Sequence, residues 1–404
     1  MYRILAINPG STSTKIAVYD NLEPVFKRTI SHSHDELAVF PTLLDQYSWR
    51  KGLIEDALRQ EGIDVRSLSA VIGRGGIIKP VESGVYEVND ALRHDLMHAR
   101  VQHASNLGGL IARDIADEVG VPAFIADPVV VDEMIPYARI SGLPELPRES
   151  IFHALNQKAI ARRFARESEK AYEDINLIVC HMGGGITVSA HRRGRVIDTT
   201  NALDGCGPFS PERSGSLAPG ALVRLCFSGK YTEQELMRLI HGAGGLMAHL
   251  GTTSVPEVLK RIDEGDLHAM LVLRAMVYTV AKEIGGMAAA LKGDVDAILI
   301  TGGMAHSQRI TDFVAEHIDF IAPIYVYPGE DEIFTLVENA LAVLSGQREV
   351  KEYKSDEAED PSAINDRLRP SKLRDILLAA IKPQNRPRGT FSTLRQYLQK
   401  RFKK

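Results

Sequence analysis

The stretch YRILAINPGSTSTKIAVY, residues 2–19, decides the fold. An apolar run ends abruptly in Asn8-Pro9-Gly10-Ser11-Thr12-Ser13-Thr14-Lys15, and a second apolar run follows. Pro and Gly break a β-ladder, and small hydroxyl residues cannot build a core, so the chain leaves one strand, turns and enters another. Hydroxyls and backbone N–H groups that converge in such a turn can coordinate an oxyanion, and Lys15 adds positive charge. An ordinary polar hairpin reads the same way, so this stretch alone leaves both readings open.

A second copy of the pattern lies about half-way along the chain. Residues 175–199, INLIVCHMGGGITVSAHRRGRVIDT, again give an apolar strand, a glycine turn (Met182-Gly183-Gly184-Gly185) and an alternating strand, Ile186-Thr187-Val188-Ser189-Ala190. The repetition implies two related halves. A third apolar run, Ala297-Ile298-Leu299-Ile300, ends in Thr301-Gly302-Gly303-Met304. Glycine there permits a ligand to approach the backbone closely. Three strand-end glycine turns predict one nucleotide cleft.

Length agrees with two halves, since 404 residues exceed what one hydrophobic core usually serves. With 44% hydrophobic and 25% charged residues the composition is that of a globular protein, and a net charge of −4 gives no reason to invoke nucleic acid. The three cysteines, Cys180, Cys206 and Cys226, form no CxxC pair, and their odd number argues against a disulfide framework. Reduced, cytoplasmic thiols are the expectation. No basic n-region with an apolar h-region opens the chain, and no uninterrupted apolar stretch reaches about 18 residues, so neither secretion nor a membrane span is expected.

Between the turns the pattern alternates helix and strand. Residues 49–60 carry Leu53, Ile54, Ala57 and Leu58 at helical spacing, with Gly62 as a stop and Ser69-Ala70-Val71-Ile72 as the next strand. Residues 107–119 predict a helix ended by Gly120, then a strand over 122–126 that delivers Asp127. Such alternation means an α/β fold. The proline-containing stretch 136–147 is the expected inter-domain connection, and Ser150 the expected cap of the following helix. Residues 267–291 predict a long helix in the core of the second half.

The runs INPGSTSTK, GRGGIIKP, HASNLGG, SIFHALNQKA, HMGGG and GPFSPERSG resemble the acetate and butyrate kinase family, the butyrate kinases more than the acetate kinases. The likeness spans roughly residues 2–345. It implies two duplicated actin-like (ribonuclease H-like) ATPase domains, with ATP in the cleft and a carboxylic acid beside it. The expected division is 1–149, completed by a C-terminal helix at about 333–350, then 150–332, then a basic extension, 351–404. The resemblance also implies a homo-oligomer, a dimer or higher.

Site residues follow from the same likeness. A nucleoside triphosphate and a carboxylate repel each other, so cations are required first. Arg74 and Arg213 sit among small residues, and their fork geometry suits carboxylate or phosphate. By resemblance both belong to the active site, with Arg74 orienting the acid. A lone histidine is more often packed or at the surface than functional. Among three in family-like motifs, His153 resembles the family's transition-state histidine, His181 a phosphate-loop residue, and His103 with Asn106 a part of the acid pocket, with Phe152, just before His153, a further residue expected to bind the acid. Small residues Ala104, Gly108 and Gly109 are expected to leave room there for the acid's methylenes. Asn8, Ser11, Ser13 and Lys15, with Gly183, Gly184, Gly185, Gly302 and Gly303, are expected to hold the nucleotide. Mg²⁺ takes oxygen ligands and often uses one or two carboxylates beside phosphates. Asp127 is the first candidate ligand and catalytic acid, Glu332 of the Glu330-Asp331-Glu332 cluster the second, although three acids before a helix also complement its dipole.

The implied reaction is transfer of the γ-phosphoryl group of ATP to a carboxylate oxygen, butyrate first, with acetate, propionate or a branched acid as alternatives. A carboxylate is ionised at pH 7, so no general base is needed. The absence of GxxxxGK[ST] and GxGxxG argues against P-loop and Rossmann chemistry. An inactive actin-like scaffold is the alternative from another class. The tail 382–404 holds Lys382, Arg386, Arg388, Arg395, Lys400, Arg401, Lys403 and Lys404 and no acid. It reads as a solvated appendage, with an amphipathic anchor for an acidic surface as the alternative.

Overall fold

Residues 3–20 form the expected pair: β1 (Arg3–Pro9) and β2 (Ser13–Asp20) run antiparallel, with Asn8 opposite Lys15. The computed structural model describes residues 1–99, 101–201 and 203–354. The remaining strands are β3 (Glu23–Ser31), β4 (Ala70–Arg74), β5 (Val85–Glu87), β6 (Ala123–Ala126), β7 (Asn176–Met182), β8 (Ile186–Arg192), β9 (Arg195–Thr199), β10 (Ala297–Gly302), β11 (Ile324–Pro328) and β12 (Val350–Lys351). They make two sheets, β12-β5-β6-β4-β1-β2-β3 and β11-β10-β7-β8-β9.

The two sheets repeat one plan. In the first, β3-β2-β1 is an antiparallel meander, and β4 and β6 then add parallel to β1. In the second, β9-β8-β7 is the meander, and β10 and β11 add parallel to β7. Parallel strands align their C-terminal ends on one sheet edge, where open α/β sheets bind ligands. Each of the three glycine turns leaves from such an edge: after β1, after β7 and after β10. This is the α/β arrangement of two duplicated actin-like units expected from the sequence.

Helices cover both sheets. The helix Leu267–Ala290, long as expected, lays Leu273, Met276, Val277 and Val280 on the second sheet, all fully buried. The helices Tyr47–Gln60 and Asn106–Val119 cover one face of the first sheet. On its other face the helix Glu332–Leu344 packs Leu336, Val337 and Ala340 against β1 and β4. Each such aliphatic side chain, fully buried, contributes about 1.5–3 kcal/mol. The last helix of the described chain therefore returns to the first sheet and carries Glu332 there.

Several expectations are corrected by packing. Ser150 does not cap the helix Ala154–Glu167: its hydroxyl donates to the Val131 carbonyl at 2.7 Å, and His153 occupies the N-cap. Gly108 and Gly109 leave no pocket. A Cβ on Gly108 would lie 2.5 Å from the Arg74 carbonyl oxygen, and one on Gly109 2.8 Å from Leu96 and 3.1 Å from Ile125, so Gly108 serves close approach of the helix to β4 and Gly109 its packing on Leu96 and β6. The extension does not start at 351. Lys351 pairs with β5, and Tyr353 is 3% exposed, its hydroxyl donating to Asp95 at 2.6 Å. The basic residues of 382–404 and their apolar stripe lie outside the described residues.

Candidate active site

The first turn is held from behind. Arg50, on the helix Tyr47–Gln60, is fully buried, and its Nη1 donates to the Gly10 carbonyl at 2.8 Å and the Thr14 hydroxyl at 3.1 Å. Its Nη2 donates to the Ser11 carbonyl at 3.1 Å, and Gln46 Oε1 takes a further bond at 2.9 Å. All of these acceptors are neutral. Burial lowers the guanidinium to about 10, still far above neutral pH, so a positive charge sits under the turn. Ser11 and Lys15 are exposed on the turn and on β2, and Ser13 is partly exposed.

Asn8 and Arg74 leave β1 and β4 on the same edge and meet one carboxylate. Asn8 Nδ2 donates to Glu332 Oε2 at 2.7 Å, and Arg74 Nη1 to the same oxygen at 2.9 Å. Glu332, the first residue of its helix, thus faces the turn across the fold.

The second turn brings the other groups. His181, at the end of β7, stacks on His153 with ring centroids 3.8 Å apart and planes 13° from parallel. Its Nδ1 bonds Asn156 Oδ1 at 2.8 Å, which makes Nδ1 the protonated nitrogen, and its Nε2 lies 3.4 Å from Glu330. Burial first, then the charges of Arg74 and Arg213, lower His181 to about 3. His153 is lowered well below its ordinary value by burial, His181, Arg213 and Arg74. His103 falls to about 4 through burial, Arg74 and Arg213, while Glu332 opposes the shift. All three are therefore neutral imidazoles at pH 7, and the two arginines act on every one of them.

Arg213 reaches this place because Gly185 has no side chain: a Cβ there would lie 2.2 Å from Nη1. Ser210 ties the arginine loop to the turn, its hydroxyl donating to the Gly184 carbonyl at 2.5 Å and accepting from the Arg213 N–H at 3.2 Å. Burial lowers Arg213 from the usual guanidinium value, with Glu212 opposing. Gly302 holds φ +91°, and a Cβ on it would lie 2.5 Å from the Met182 carbonyl oxygen, so β10 can close on β7 only with glycine there. Gly183, Gly184 and Gly303 line a cavity of about 500 Å³ with Val255, Leu259 and Met304, within the range of small-molecule sites.

Three sequence candidates lie elsewhere. Asp127, at φ +37°, is buried: Oδ1 accepts from the Ser83 hydroxyl at 2.6 Å and the Gly84 N–H at 2.9 Å, and Oδ2 pairs with Arg162 at 3.0 Å. Burial alone would raise its carboxyl, but Arg162, Lys158 and the Ser83 hydrogen bond hold it below the ordinary range. With both oxygens committed inside the protein, Asp127 is held as an ion-pair anchor. Asn106 spends its amide on backbone, accepting from Ile77 N–H at 2.8 Å and donating to the Val101 carbonyl at 3.1 Å. Phe152, 2% exposed, packs with Val131, Ala154 and Val196 and anchors the loop before His153.

Sequence reasoning missed Arg50, Thr187, Asn156 and Gln157. Arg50 had a signal, since it stands four residues before Ile54 and so on the stripe of Ile54, Ala57 and Leu58.

Residues 146–327 match the Acetokinase family. The chain is 54% identical to butyrate kinase 2 of Clostridium acetobutylicum over 355 residues, 87% of this chain and 99% of that protein. It is equally 54% identical to a probable butyrate kinase of Bacteroides thetaiotaomicron, covering 87% of this chain and all of that protein. Among solved structures, the acetate kinase of Porphyromonas gingivalis superposes with a TM-score of 0.70 at 18% identity, over 85% of this chain and 100% of that one. A propionate kinase of Francisella tularensis gives 0.69 at 17%, over 84% and 99%. The structural likeness carries the fold, and with the sequence identity over nearly nine-tenths of its length the chain belongs to the acetokinase family.

Proposed function

We propose that the protein transfers the γ-phosphoryl group of ATP to a short-chain carboxylate, butyrate before other acids, giving butanoyl phosphate and ADP, and that it runs the reverse reaction as well. The observation that carries this reading is the convergence of Arg74, Arg213, His103, His153 and His181 beside two glycine turns. The identity with butyrate kinases supports the choice of acid.

The nucleotide fits the cavity at Gly183, Gly184 and Gly303, with its phosphates running toward the turns. Backbone N–H groups of those turns, the charge of Arg50 beneath the first and Lys15 beside it favour the phosphates. Arg74 and Arg213 offset the repulsion between the acid's carboxylate and the triphosphate. The carboxylate oxygen forms a bond to γ-phosphorus as the bond to the bridging oxygen breaks, and that electron pair leaves on ADP. No proton moves. His153, neutral and buried, donates a hydrogen bond to the phosphoryl oxygens, where a fixed donor is worth most.

Magnesium enters the reading with the nucleotide. Burial and the neighbouring Glu332 charge raise the Glu330 carboxyl, against Arg74 and Lys15, so two acids crowd one place beside the turns. That crowding suits a divalent cation, and Glu332 is the residue that would hold it. The ion would neutralise phosphate charge. Three free cysteines, with Cys206 and Cys226 exposed, support a reducing compartment and hence the cytoplasm. No helix among the described residues is long and apolar enough to cross a membrane.

The test is a coupled ADP-release assay with Mg·ATP and a panel of straight and branched acids. A higher kcat/KM for acetate than for butyrate overturns the choice of acid. No acid-dependent ADP release overturns the reaction.

A further inference from the structure

The β8 sequence Ile186-Thr187-Val188-Ser189-Ala190-His191 alternates apolar and polar residues, which reads as one core face and one solvent face. Yet Thr187, Ser189 and His191 are all fully buried. They face the helix Ala154–Glu167, whose own Gln157 and Lys158 are buried as well. Polar groups in such a place must pair with one another.

They form a chain with one direction. Gln157 Nε2 lies 2.9 Å from the Thr187 hydroxyl and 3.2 Å from the Thr187 carbonyl oxygen. A carbonyl only accepts, so the amide must turn its NH₂ to β8 and its oxygen to His191 Nε2, 3.1 Å away. His191 therefore carries its proton on Nε2. Burial and the charges of Lys158 and Arg162 hold it neutral, so its Nδ1 accepts from the Tyr172 hydroxyl at 2.7 Å. At the other end the Thr187 oxygen accepts from Gln157 and, at 3.5 Å, from the His153 backbone N–H, which takes both lone pairs. Its single proton is left for His153 Nδ1, 2.8 Å away. With Nδ1 of His153 an acceptor, the proton of that neutral ring sits on Nε2, the edge turned away from β8.

We propose that Thr187 and Gln157 are positioning residues, which hold His153 in its Nε2–H tautomer through a relay that starts at Tyr172. Every donor in the relay points from the core toward the candidate site. A threonine methyl and a buried strand fix the hydroxyl, and the helix fixes Gln157, so the imidazole cannot turn its acceptor edge to an incoming phosphate. The catalytic meaning of this tautomer rests on the reading that His153 faces the transferred phosphoryl group.

The test separates the two. In the full chain labelled with ¹⁵N, long-range ¹H–¹⁵N correlation of the histidine rings reports the tautomer directly, with His153→Gln assigning the signals. The wild-type protein is expected to show the Nε2–H pattern at His153, and an Nδ1–H pattern overturns the relay whether or not the protein has activity. Thr187→Val, which keeps shape and loses the hydroxyl, is expected to erase that pure pattern. It should lower kcat on the order of tenfold to a hundredfold, the range for groups that orient a functional histidine, with KM for ATP within about twofold. Thr187→Ser should restore both. An unchanged spectrum and kcat in Thr187→Val overturns the proposal, and should that variant fail to fold, the wild-type spectrum and Thr187→Ser still decide it. Full kcat in His153→Ala, by contrast, overturns the reading of His153 and leaves the relay standing.

Discussion

The turn after β1 and the turn after β7 occupy the same place in the same strand order, and they are built in opposite ways. The first is held by a side chain from behind: Arg50 collects the carbonyl oxygens of Gly10 and Ser11 and leaves the outer side of the turn open. The second is held by the lack of a side chain: Gly185 lets Arg213 lie on the turn itself, and His181 at the end of β7 brings His153 with it. One duplicated plan has thus yielded a cradle with a fixed cation beneath it and a platform that presents cations and donors to the ligand. On the proposed reading, the first turn steadies the phosphates from beneath, and the second, beside the nucleotide cavity, presents the groups that act on them.

That division is most exposed to loss of the presented groups. Arg213→Ala and His153→Ala should each lower kcat by on the order of 10²–10³, the effect of removing one preorganised donor to developing charge. ATP affinity, measured by nucleotide titration, should stay within a few-fold. A loss of ATP binding as large as the loss of kcat would erase the distinction between the turns.

The two turns can also be compared by one methyl group. Gly185→Ala places a Cβ 2.2 Å from Arg213 Nη1 and must displace the guanidinium, whereas Gly10→Ala meets its nearest atom at 3.4 Å. A shift of about 1 Å in a positioning group can cost up to about a hundredfold, so kcat should fall sharply in Gly185→Ala and hardly in Gly10→Ala. Steady-state kinetics of the pair check this.

Arg50→Met addresses the cradle. It takes the guanidinium donor from the Gly10 and Ser11 carbonyl oxygens, while the Thr14 hydroxyl keeps His32 Nε2 at 2.9 Å, and a buried group left without a partner costs about 1–3 kcal/mol. Denaturant unfolding should show a loss of about 2–5 kcal/mol, and KM for ATP should rise more than kcat falls. The reverse, a kcat defect with normal KM, would place chemistry on the first turn.

What the sequence revealed follows from the same contrast. Strand–turn–strand repeats are written in local composition, so both turns and the α/β alternation were legible there, whereas Arg74, Arg213, His153 and His181 were singled out by the family likeness of their motifs. Buried polar groups were not, because a polar residue on a helix or strand reads as solvent-facing until its partner is known. Arg50 and Thr187 escaped for this reason. Asp127 shows the opposite case: a strand-end acid reads as a metal ligand, and its ties to Ser83, Gly84 and Arg162, which occupy both oxygens, are not visible in sequence. Gly108 and Gly109 likewise looked like space for a ligand when they are space for β4, Leu96 and Ile125.

Acid stability should follow the buried histidines, of which the second half holds more. His181 is lowered to about 3 and His32, beside the first turn, to about 4 by burial and Arg50, while burial and neighbouring charges hold His153 and His191 well below the ordinary imidazole value. Unfolded histidines bind protons near pH 6.5 and these folded ones do not. Their contribution is fully present above that value and drains away as pH falls toward 4 and 3. One such group costs on the order of 1–2 kcal/mol between pH 7 and pH 5. Urea unfolding at pH 7, 6 and 5 should show stability falling steadily, and His181→Asn should flatten the slope more than His32→Asn. Over the same range kcat should show no ionisation of His153.

The smallest effect expected comes from the end of the chain, where the sheets differ by two strands. Only the first sheet carries β5 and β12, and the last of them is held through the residues that follow it. Asn89 donates to the Tyr353 carbonyl at 2.7 Å, and the Tyr353 ring lies in the core of that sheet. Cutting before Glu352 removes this anchor, so unfolding should cost less by about 2–4 kcal/mol, in the range for loss of a large buried side chain. Cutting after Lys354 leaves the anchor in place and removes only residues that no proposed step requires. It should leave kcat, KM and unfolding free energy within error of the full chain, with any change confined to salt-sensitive association of the basic tail. Loss of activity on cutting after Lys354 would make residues 355–404 part of the enzyme's working body. Equal stability in both truncations would make β12 an ornament of the first sheet rather than its edge.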